Sequence, residues 1–171
     1  MSIVPTKDTI ENDKLNLEHL HDSTAAQLKV VLEAYKSIFA KSKFDLGCLD
    51  GFEAALAPGM VTEFTFDQST LQKFIRSKKL KRKDFPFSTY ESFINRFVDD
   101  LAVYTPRDRK DAINLHLLCI EAVLFALRLH GWIIHLNKCT FFTPQFTFLG
   151  LHWDTTDQTY QPLNNRIQAI K

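Results

Sequence analysis

The sequence has little of several features that mark specialised protein classes. Its three cysteines, Cys48, Cys119 and Cys139, are widely spaced, which argues against a disulfide framework and favours free thiols in a reducing compartment. Positive and negative charges nearly cancel, with a formal net charge of +1, so overall charge predicts no particular partner. Without a basic-then-apolar N-terminal signal or an apolar run expected to cross a bilayer, we expect an intracellular protein, cytoplasmic or nuclear, with no membrane contact.

What the chain does contain is typical of a folded domain. Its 171 residues suffice for one hydrophobic core, and apolar residues make up 45% of them. Fifteen phenylalanines are a high count for this length. They predict a core or a surface that is rich in aromatic rings.

Two helices are predicted in the first half of the chain by apolar residues at helical spacing. The first is expected to be capped by Ser23 or Thr24 and to end near Lys41 to Lys43. The second is expected to open at Ser69. The residues expected to be buried are Leu28, Val31, Leu32, Tyr35, Ile38 and Phe39 in the first helix and Leu71, Phe74, Ile75 and Leu80 in the second.

A dense basic run follows the second helix. Six cations occur within eight residues: Arg76, Lys78, Lys79, Lys81, Arg82 and Lys83. Such a run can contact the phosphates of a nucleic acid. A solvated basic face or linker is an equally good interpretation of a lone charge cluster.

The second half of the chain predicts an α+β arrangement. "FINRFV" and "LAVYT" are strand-like runs that flank an acidic pair, and a helix follows with Gly131 at its C-terminal cap position. "WIIHL" and "FTFLGLHW" are then predicted as strands, "DTTDQ" as a turn, and a last helix as starting at Asn164 or Asn165. The apolar residues predicted to line the central helix are Ile113, Leu117, Leu118, Ile120, Ala122, Leu124, Phe125, Leu127 and Leu129.

The acidic pair Asp99 and Asp100 lies where the hairpin is expected to turn. Acidic residues suit solvated turns, so a structural role is one interpretation. Two adjacent carboxylates also repel each other unless a cation lies between them, and Mg²⁺ is commonly held by one or two carboxylates together with substrate phosphates. The pair therefore also predicts a metal site.

The order of these motifs resembles the palm of reverse transcriptases from long-terminal-repeat retrotransposons. "FVDD" is followed by a helix, then "LHGWIIHLNKCTFF", then "FTFLGLHWD", and "PLNNRIQAI" is similar to the first thumb segment of those enzymes. Upstream, "DFPFSTYESF" resembles the segment that shapes the nucleotide and template pocket, with Ser88 where glycine is expected. The fold this implies is a partial polymerase palm, a small antiparallel sheet with an Asp-Asp hairpin packed on amphipathic helices.

The resemblance also implies an activity, RNA-directed DNA synthesis, with Mg²⁺ or Mn²⁺ as cofactor and template-primer and deoxynucleotide triphosphates as partners. In the residue roles carried over, Asp99, Asp100 and Asp67 hold the metal, Lys138 protonates the leaving pyrophosphate, and Phe87 and Phe97 bind the nucleotide. Phe148, Leu149 and Gly150 correspond to the hairpin that positions the primer. Other segments of a polyprotein are further possible partners.

The expected organisation is a helix and connector over residues 1–59, a contracted fingers and palm remnant over 60–92, the palm over 93–160 and the start of the thumb over 161–171. Few residues join Phe87 to Phe97, which predicts an internally shortened and incomplete polymerase. Two other functions stay open. One is a non-catalytic remnant that binds nucleic acid through the basic run, and the other is an interaction module built on the central helix.

Overall fold

The computed structural model describes residues 15–41, 66–97 and 100–163. Within these ranges the chain is mixed α/β, with three α-helices and two small antiparallel sheets. The helices are α1 (Asp22–Ala34), α2 (Gln68–Ser77) and α3 (Ala112–Leu129). The strands are β1 (Ile94–Phe97), β2 (Asp100–Val103), β3 (Gln145–Phe148), β4 (Leu151–Asp154) and β5 (Thr159–Pro162), and short 3-10 helices cover Lys36–Ile38, Tyr90–Ser92 and Leu136–Lys138.

The chain divides into two compact units, and the boundary falls inside the sequence of α3. The first unit comprises residues 1–62 and 123–139, and the second comprises residues 63–122 and 140–171. The predicted strand "VTEFTF" falls on residues 61–66, of which only Phe66 lies within the described ranges, and the predicted last helix lies outside them.

In the first unit, α1 begins two or three residues earlier than the expected caps imply, and it is capped by a different residue. The backbone N–H of Ser23 donates to the ring of His21, so His21 is the N-cap and the expected caps Ser23 and Thr24 lie inside the helix. Leu28 and Leu32 are buried as predicted. The α-helix ends at Ala34, and the buried residues beyond it belong to a 3-10 turn and the extended segment after it.

The C-terminus of α3 follows the prediction. Gly131 has a φ of 72°, and its N–H donates to the Arg128 carbonyl, while the N–H of Trp132 donates to the Leu127 carbonyl. This pair of bonds is the Schellman arrangement, which needs a left-handed residue that glycine adopts at no steric cost. The Arg128 guanidinium also lies 4.2 Å from the centre of the Tyr35 ring, a cation–π contact.

The second unit contains the aromatic cluster that the phenylalanine count predicts. Phe85 contacts Phe74, Phe87 and Phe93 at ring-centre distances of 6.0, 5.8 and 5.6 Å. Tyr90 joins the cluster 5.4 Å from Phe93, and its hydroxyl donates to the Ala122 carbonyl of α3 at 3.2 Å. Ring pairs in tilted and edge-to-face contact stabilise a core beyond the area they bury.

Two strand predictions need correction. "WIIHL" forms no regular strand: Ile134 makes an isolated parallel bridge with Phe39, and a 3-10 turn follows at Leu136. "FTFLGLHW" is two strands, because Leu149 and Gly150 both have positive φ, 56° and 70°, and reverse the chain. An apolar run cannot by itself show where a strand turns.

Helix α3 is the most apolar element, with a mean hydropathy of 1.8 over its 18 residues. By length and composition alone it could cross a membrane, contrary to the expectation that no apolar run is suited to this, and 56% of it is buried within the protein. Most of its predicted apolar stripe is buried, but Ile113 and Leu129 near its ends are 52% and 47% exposed.

Candidate active site

The strands on either side of the acidic pair form the antiparallel pair that the sequence predicts. Ile94 pairs with Val103 and Phe97 pairs with Asp100, so Val98 and Asp99 connect the strands. Those two residues lie outside the described ranges, and the Asp-Asp turn stays a prediction. Asp100 is the first residue of β2 and is exposed, so its carboxylate is accessible from solvent.

The β1–β2 pair is anchored to the aromatic cluster at the end opposite the acids. The Tyr104 N–H donates to the Phe93 carbonyl at 2.9 Å, and its hydroxyl donates to the Glu91 carbonyl at 3.0 Å. Phe93 and Ile94 are buried, whereas Phe97 is 60% exposed. The strand pair is therefore held at its base and presents its acidic end to solvent.

Asp67, the predicted third carboxylate, is the N-cap of α2. Its Oδ1 accepts hydrogen bonds from the backbone N–H of Thr70 at 2.7 Å and from the Ser69 hydroxyl at 3.0 Å. These bonds satisfy a helix N-terminus, a sufficient local reason for an aspartate at this position. Within the part of the chain that the structure describes, no three His, Cys, Asp or Glu side chains form a group that could hold a metal ion.

The six cations of the basic run differ in their surroundings. The Lys78 ammonium lies 2.5 Å from a carboxylate oxygen of Glu121, a residue of α3 that is only 8% exposed. The other five cations, all exposed, are Arg76, Lys79, Lys81, Arg82 and Lys83. Lys78 is thus paired with a buried carboxylate although its own side chain is 38% exposed, and the other five cations of the run are exposed as well.

The remaining predicted site residues lie in varied surroundings. Phe87 is half-buried and contacts Phe93 at a ring-centre distance of 5.2 Å. Lys138 is exposed and ends the 3-10 turn at Leu136–Lys138 in the first unit. Phe148 is buried, and Leu149 and Gly150 form the reversal between β3 and β4.

A comparison with known protein families identifies the family of this chain. Residues 60–153, more than half of the 171-residue chain, match the family model described as reverse transcriptase (RNA-dependent DNA polymerase). The chain belongs to the reverse transcriptase family. Searches of curated proteins and of solved structures return no match. Reverse transcriptases in general bind a nucleic acid template and use divalent metal ions, so the family assignment supports the type of function predicted from the sequence.

The reverse transcriptase match includes each residue proposed for the site, from Asp67 through Asp99 and Asp100 to Gly150. It ends at Trp153, inside β4. The strand pair that flanks the acids and the hairpin predicted to position the primer are therefore both part of the matched region.

Sequence reasoning missed two residues of the second unit that shape the surroundings of these motifs. Glu121 is the one acidic residue in the apolar sequence of α3, and that isolation was a usable signal of a buried ion pair. His116 lies 3.1 Å from the Thr105 hydroxyl, just beyond β2, and 4.7 Å from the Phe142 ring centre. Burial lowers the pKa of His116 to about 4, so the ring is neutral at pH 7. No residue spacing in the sequence predicts this position of His116.

The two cysteines in the described part of the chain, Cys119 and Cys139, have unreactive thiols at neutral pH. Burial raises the pKa of Cys119 far above its ordinary value and raises the pKa of Cys139 to about 11. Since the thiolate is the nucleophile and the metal ligand, neither cysteine is activated at neutral pH. Both thiols are free, as predicted, and Cys119 is buried whereas Cys139 is half-buried.

Proposed function

We propose that this chain is a reverse transcriptase segment from a retrotransposon and that its acidic turn is the site of template-directed nucleotidyl transfer. The family match across residues 60–153 carries the proposal. The antiparallel pairing of β1 with β2, with Asp100 accessible at the exposed end, supports it. A pair of strands joined at an acidic turn is a suitable scaffold for carboxylates that must approach one metal cluster.

The donor chemistry fits Mg²⁺ or Mn²⁺ in part. Carboxylate oxygens are the ligands these hard ions prefer, and Asp99 and Asp100 would hold the metal. Asp67 would be the third metal ligand, and its Oδ1 already accepts the two hydrogen bonds that cap α2. When bound, the metal would supply charge stabilisation for in-line displacement at a phosphate.

The other roles come from the family resemblance. Lys138 would hold a proton for the departing pyrophosphate, and the reversal at Phe148–Gly150 would position the primer end. Phe97, which is 60% exposed at the acidic end of β1, would contact the incoming nucleotide together with Phe87. These roles are to bind the nucleotide, to orient the primer and to donate a proton to the leaving group. Such roles fit phosphoryl transfer, because positioning of the reactants supplies most of its acceleration.

Single-nucleotide primer extension on an RNA template tests the proposal. Because the interval between Phe87 and Phe97 is short, we expect slow extension by this chain alone, so a radiolabelled primer and long incubation with Mg²⁺ or Mn²⁺ are appropriate. Incorporation should depend on Asp99 and Asp100 and be lost in the Asp99→Asn/Asp100→Asn variant. Asp108→Asn, an exposed acid on the chain between β2 and α3, is the matched control. Incorporation that survives the double substitution would rule out this site.

A second candidate function is nucleic-acid binding through the basic run, and the five exposed cations favour it. Lysine and arginine that neutralise phosphates release counterions, so affinity falls steeply with salt. For single-stranded RNA, removing three such contacts in Lys81→Gln/Arg82→Gln/Lys83→Gln should lower the salt slope by about 2. Lys73→Gln removes an exposed cation of α2 outside the run and serves as control. An unchanged slope in the triple variant would contradict this function.

A further inference from the structure

The sheet of β3, β4 and β5 has two chemically different faces. The register pairs Phe146 with Trp153 and Trp153 with Tyr160, so one aromatic ring from each strand lies on the same face. The next pairs on that face are Phe148 with Leu151 and Leu151 with Pro162. The opposite face carries only polar side chains: Gln145, Thr147, His152, Asp154, Thr159 and Gln161.

The three rings form a continuous row, which we call the aromatic row: Phe146, Trp153 and Tyr160. The ring centres of Phe146 and Trp153 are 6.5 Å apart with planes 8° from parallel, and those of Trp153 and Tyr160 are 5.1 Å apart at 32°. The Trp153 indole N–H donates to the Phe148 carbonyl at 3.0 Å, which fixes the ring orientation. The row is thus an ordered surface.

The aromatic row is accessible from solvent, most of all at β5. Tyr160 is 65% exposed, and Trp153 and Phe146 are partly exposed. Contiguous exposed apolar surfaces mark binding sites more often than scattered exposed residues do, and the three rings of the aromatic row are contiguous.

A cation lies at one end of this face. The N–H of Thr155 donates to the Pro144 carbonyl at 2.9 Å, so the β3–β4 ladder continues one pair further and alternation places the Thr155 side chain on the aromatic face. The guanidinium of Arg107 donates to the Thr155 hydroxyl at 2.7 Å. Thr155 is two residues beyond Trp153, just past the end of β4, and about 7 Å away at strand spacing. The carboxylate of Asp154 points to the other face, where Gln145 and the turn backbone bind it.

We propose that the aromatic row binds single-stranded nucleic acid, with bases stacked on Trp153 and Tyr160 and a phosphate bound by Arg107. Flat rings beside a cation complement a base joined to a phosphate, the combination that single-strand binding surfaces use. A purely apolar protein partner would instead desolvate the Arg107 charge without pairing it, which is costly. Stacking reads no base edge and no 2′-hydroxyl, so RNA and DNA should bind alike. The inference rests on the proposed nucleic-acid function and adds a second contact surface to it.

Fluorescence anisotropy with a labelled oligothymidylate of about 10 nucleotides, within the usual range of single-strand site sizes, tests the proposal on the full chain. Tyr160→Ala should weaken binding roughly 5- to 100-fold, because a lost base–aromatic stack has an effect of that size. Tyr160→Phe should retain binding, since it keeps the ring. Gln161→Ala is the matched control: it is the exposed neighbour on β5 whose side chain lies on the other face.

Tryptophan emission gives an independent readout. The chain has two tryptophans, so in a Trp132→Phe background the signal comes from Trp153 alone. Stacking of a base should quench it, and a duplex of the same length should quench it less because its bases are already stacked. Absence of quenching, equal binding of the duplex, or equal effects of Tyr160→Ala and Gln161→Ala would overturn the proposal.

The remaining outcomes separate this inference from the functions proposed above. If neutralising Lys81, Arg82 and Lys83 weakens binding while Tyr160→Ala does not, the basic-run function stands and the aromatic row is rejected. If sedimentation shows a self-association that Tyr160→Ala abolishes without a change in oligonucleotide affinity, the row contacts a second copy of the chain and the proposal fails. Primer extension that depends on Asp99 and Asp100 supports catalysis in either case.

Discussion

The β1–β2 and β3–β4 pairs differ in the residues that join their strands. Both are antiparallel pairs of four-residue strands, and in both the register leaves two connecting residues. In β3–β4 these are Leu149 and Gly150, whose positive φ values meet the requirement of a type I′ turn. In β1–β2 they are Val98 and Asp99. Valine is β-branched and among the residues least suited to positive φ.

This difference bears on the role of the residues that connect β1 and β2. A two-residue hairpin connection is best made by Asn-Gly, Asp-Gly or Gly-Gly, and Leu-Gly satisfies half of that preference. Val-Asp satisfies none of it, and Asp100 adds a second negative charge next to the first. Residues that break a local rule without an evident structural gain are typical of functional positions. The comparison therefore supports the proposal that Asp99 and Asp100 serve chemistry.

The comparison is tested most directly by giving the β1–β2 pair the Asn-Gly connection that suits a two-residue hairpin turn. In Val98→Asn/Asp99→Gly we expect the free energy of unfolding to rise by about 0.5 kcal/mol, since the new residues suit the turn. Primer extension should fall about 100- to 1,000-fold, because an electrostatic contribution to the transition state is lost. Urea denaturation and single-nucleotide incorporation measure the two effects. Improved turn chemistry with unchanged incorporation would show that the acidic connection is structural.

The second-largest effect is expected at low pH, which should destabilise the region of the β1–β2 pair before the β3–β4 pair. His116 beside Thr105 has a pKa lowered to about 4 by burial, against an ordinary value of 6.5. The unfolded chain therefore binds the proton more readily, so this contribution to stability is complete above pH 6.5 and is lost as the pH falls toward 4. After allowance for partial solvent access, we expect a loss of roughly 2 kcal/mol.

Urea denaturation at pH 7.5, 5.5 and 4 measures this loss, with His116→Gln as the variant in which the slope should flatten. Amide exchange should show opening near Thr105, just beyond β2, before opening in β3–β4. A slope that His116→Gln leaves unchanged would assign the acid sensitivity to other groups.

A smaller effect is expected at the second connection. Gly150→Val places a β-branched residue at a φ of 70° and should destabilise the fold by about 1–2 kcal/mol, as measured by thermal or urea denaturation. Substitution of the preceding residue, Leu149, should change the stability of the fold in the opposite direction. Leu149→Asn should stabilise by up to about 0.5 kcal/mol, because asparagine tolerates positive φ better than leucine does. If both substitutions destabilise equally, the reversal is not controlled by φ preferences.

The sequence predicted the elements whose signals are local. The period of α3, its glycine cap and the strands beside the acids were all recognised, because helical spacing and turn residues act over a few positions. "WIIHL" was predicted wrongly as a strand since its apolar residues satisfy several structures equally. The stripe prediction was wrong at Ile113 and Leu129 because a periodic pattern does not show where along a helix its neighbours end.

At the candidate site, the motifs could be recognised in the sequence, but the contacts that their residues make in the fold could not be predicted. The six cations of the basic run look alike in sequence, yet only Lys78 meets a buried carboxylate. Asp67 resembles a catalytic acid by its position in the chain, and the structure gives it a capping role that any aspartate before a helix can take. Such distinctions depend on which residues meet across the fold.

From the sequence alone, periodicity and glycine placement predicted an α+β arrangement, and the order of the motifs carried the resemblance to reverse transcriptases that the family match then showed. Only the tertiary structure decided that Glu121 binds Lys78, that His116 is kept neutral, and that three aromatic rings from three strands align beside Arg107. Those features require residues far apart in the chain to be brought together, and burial and strand register, which no local pattern encodes, set their chemistry.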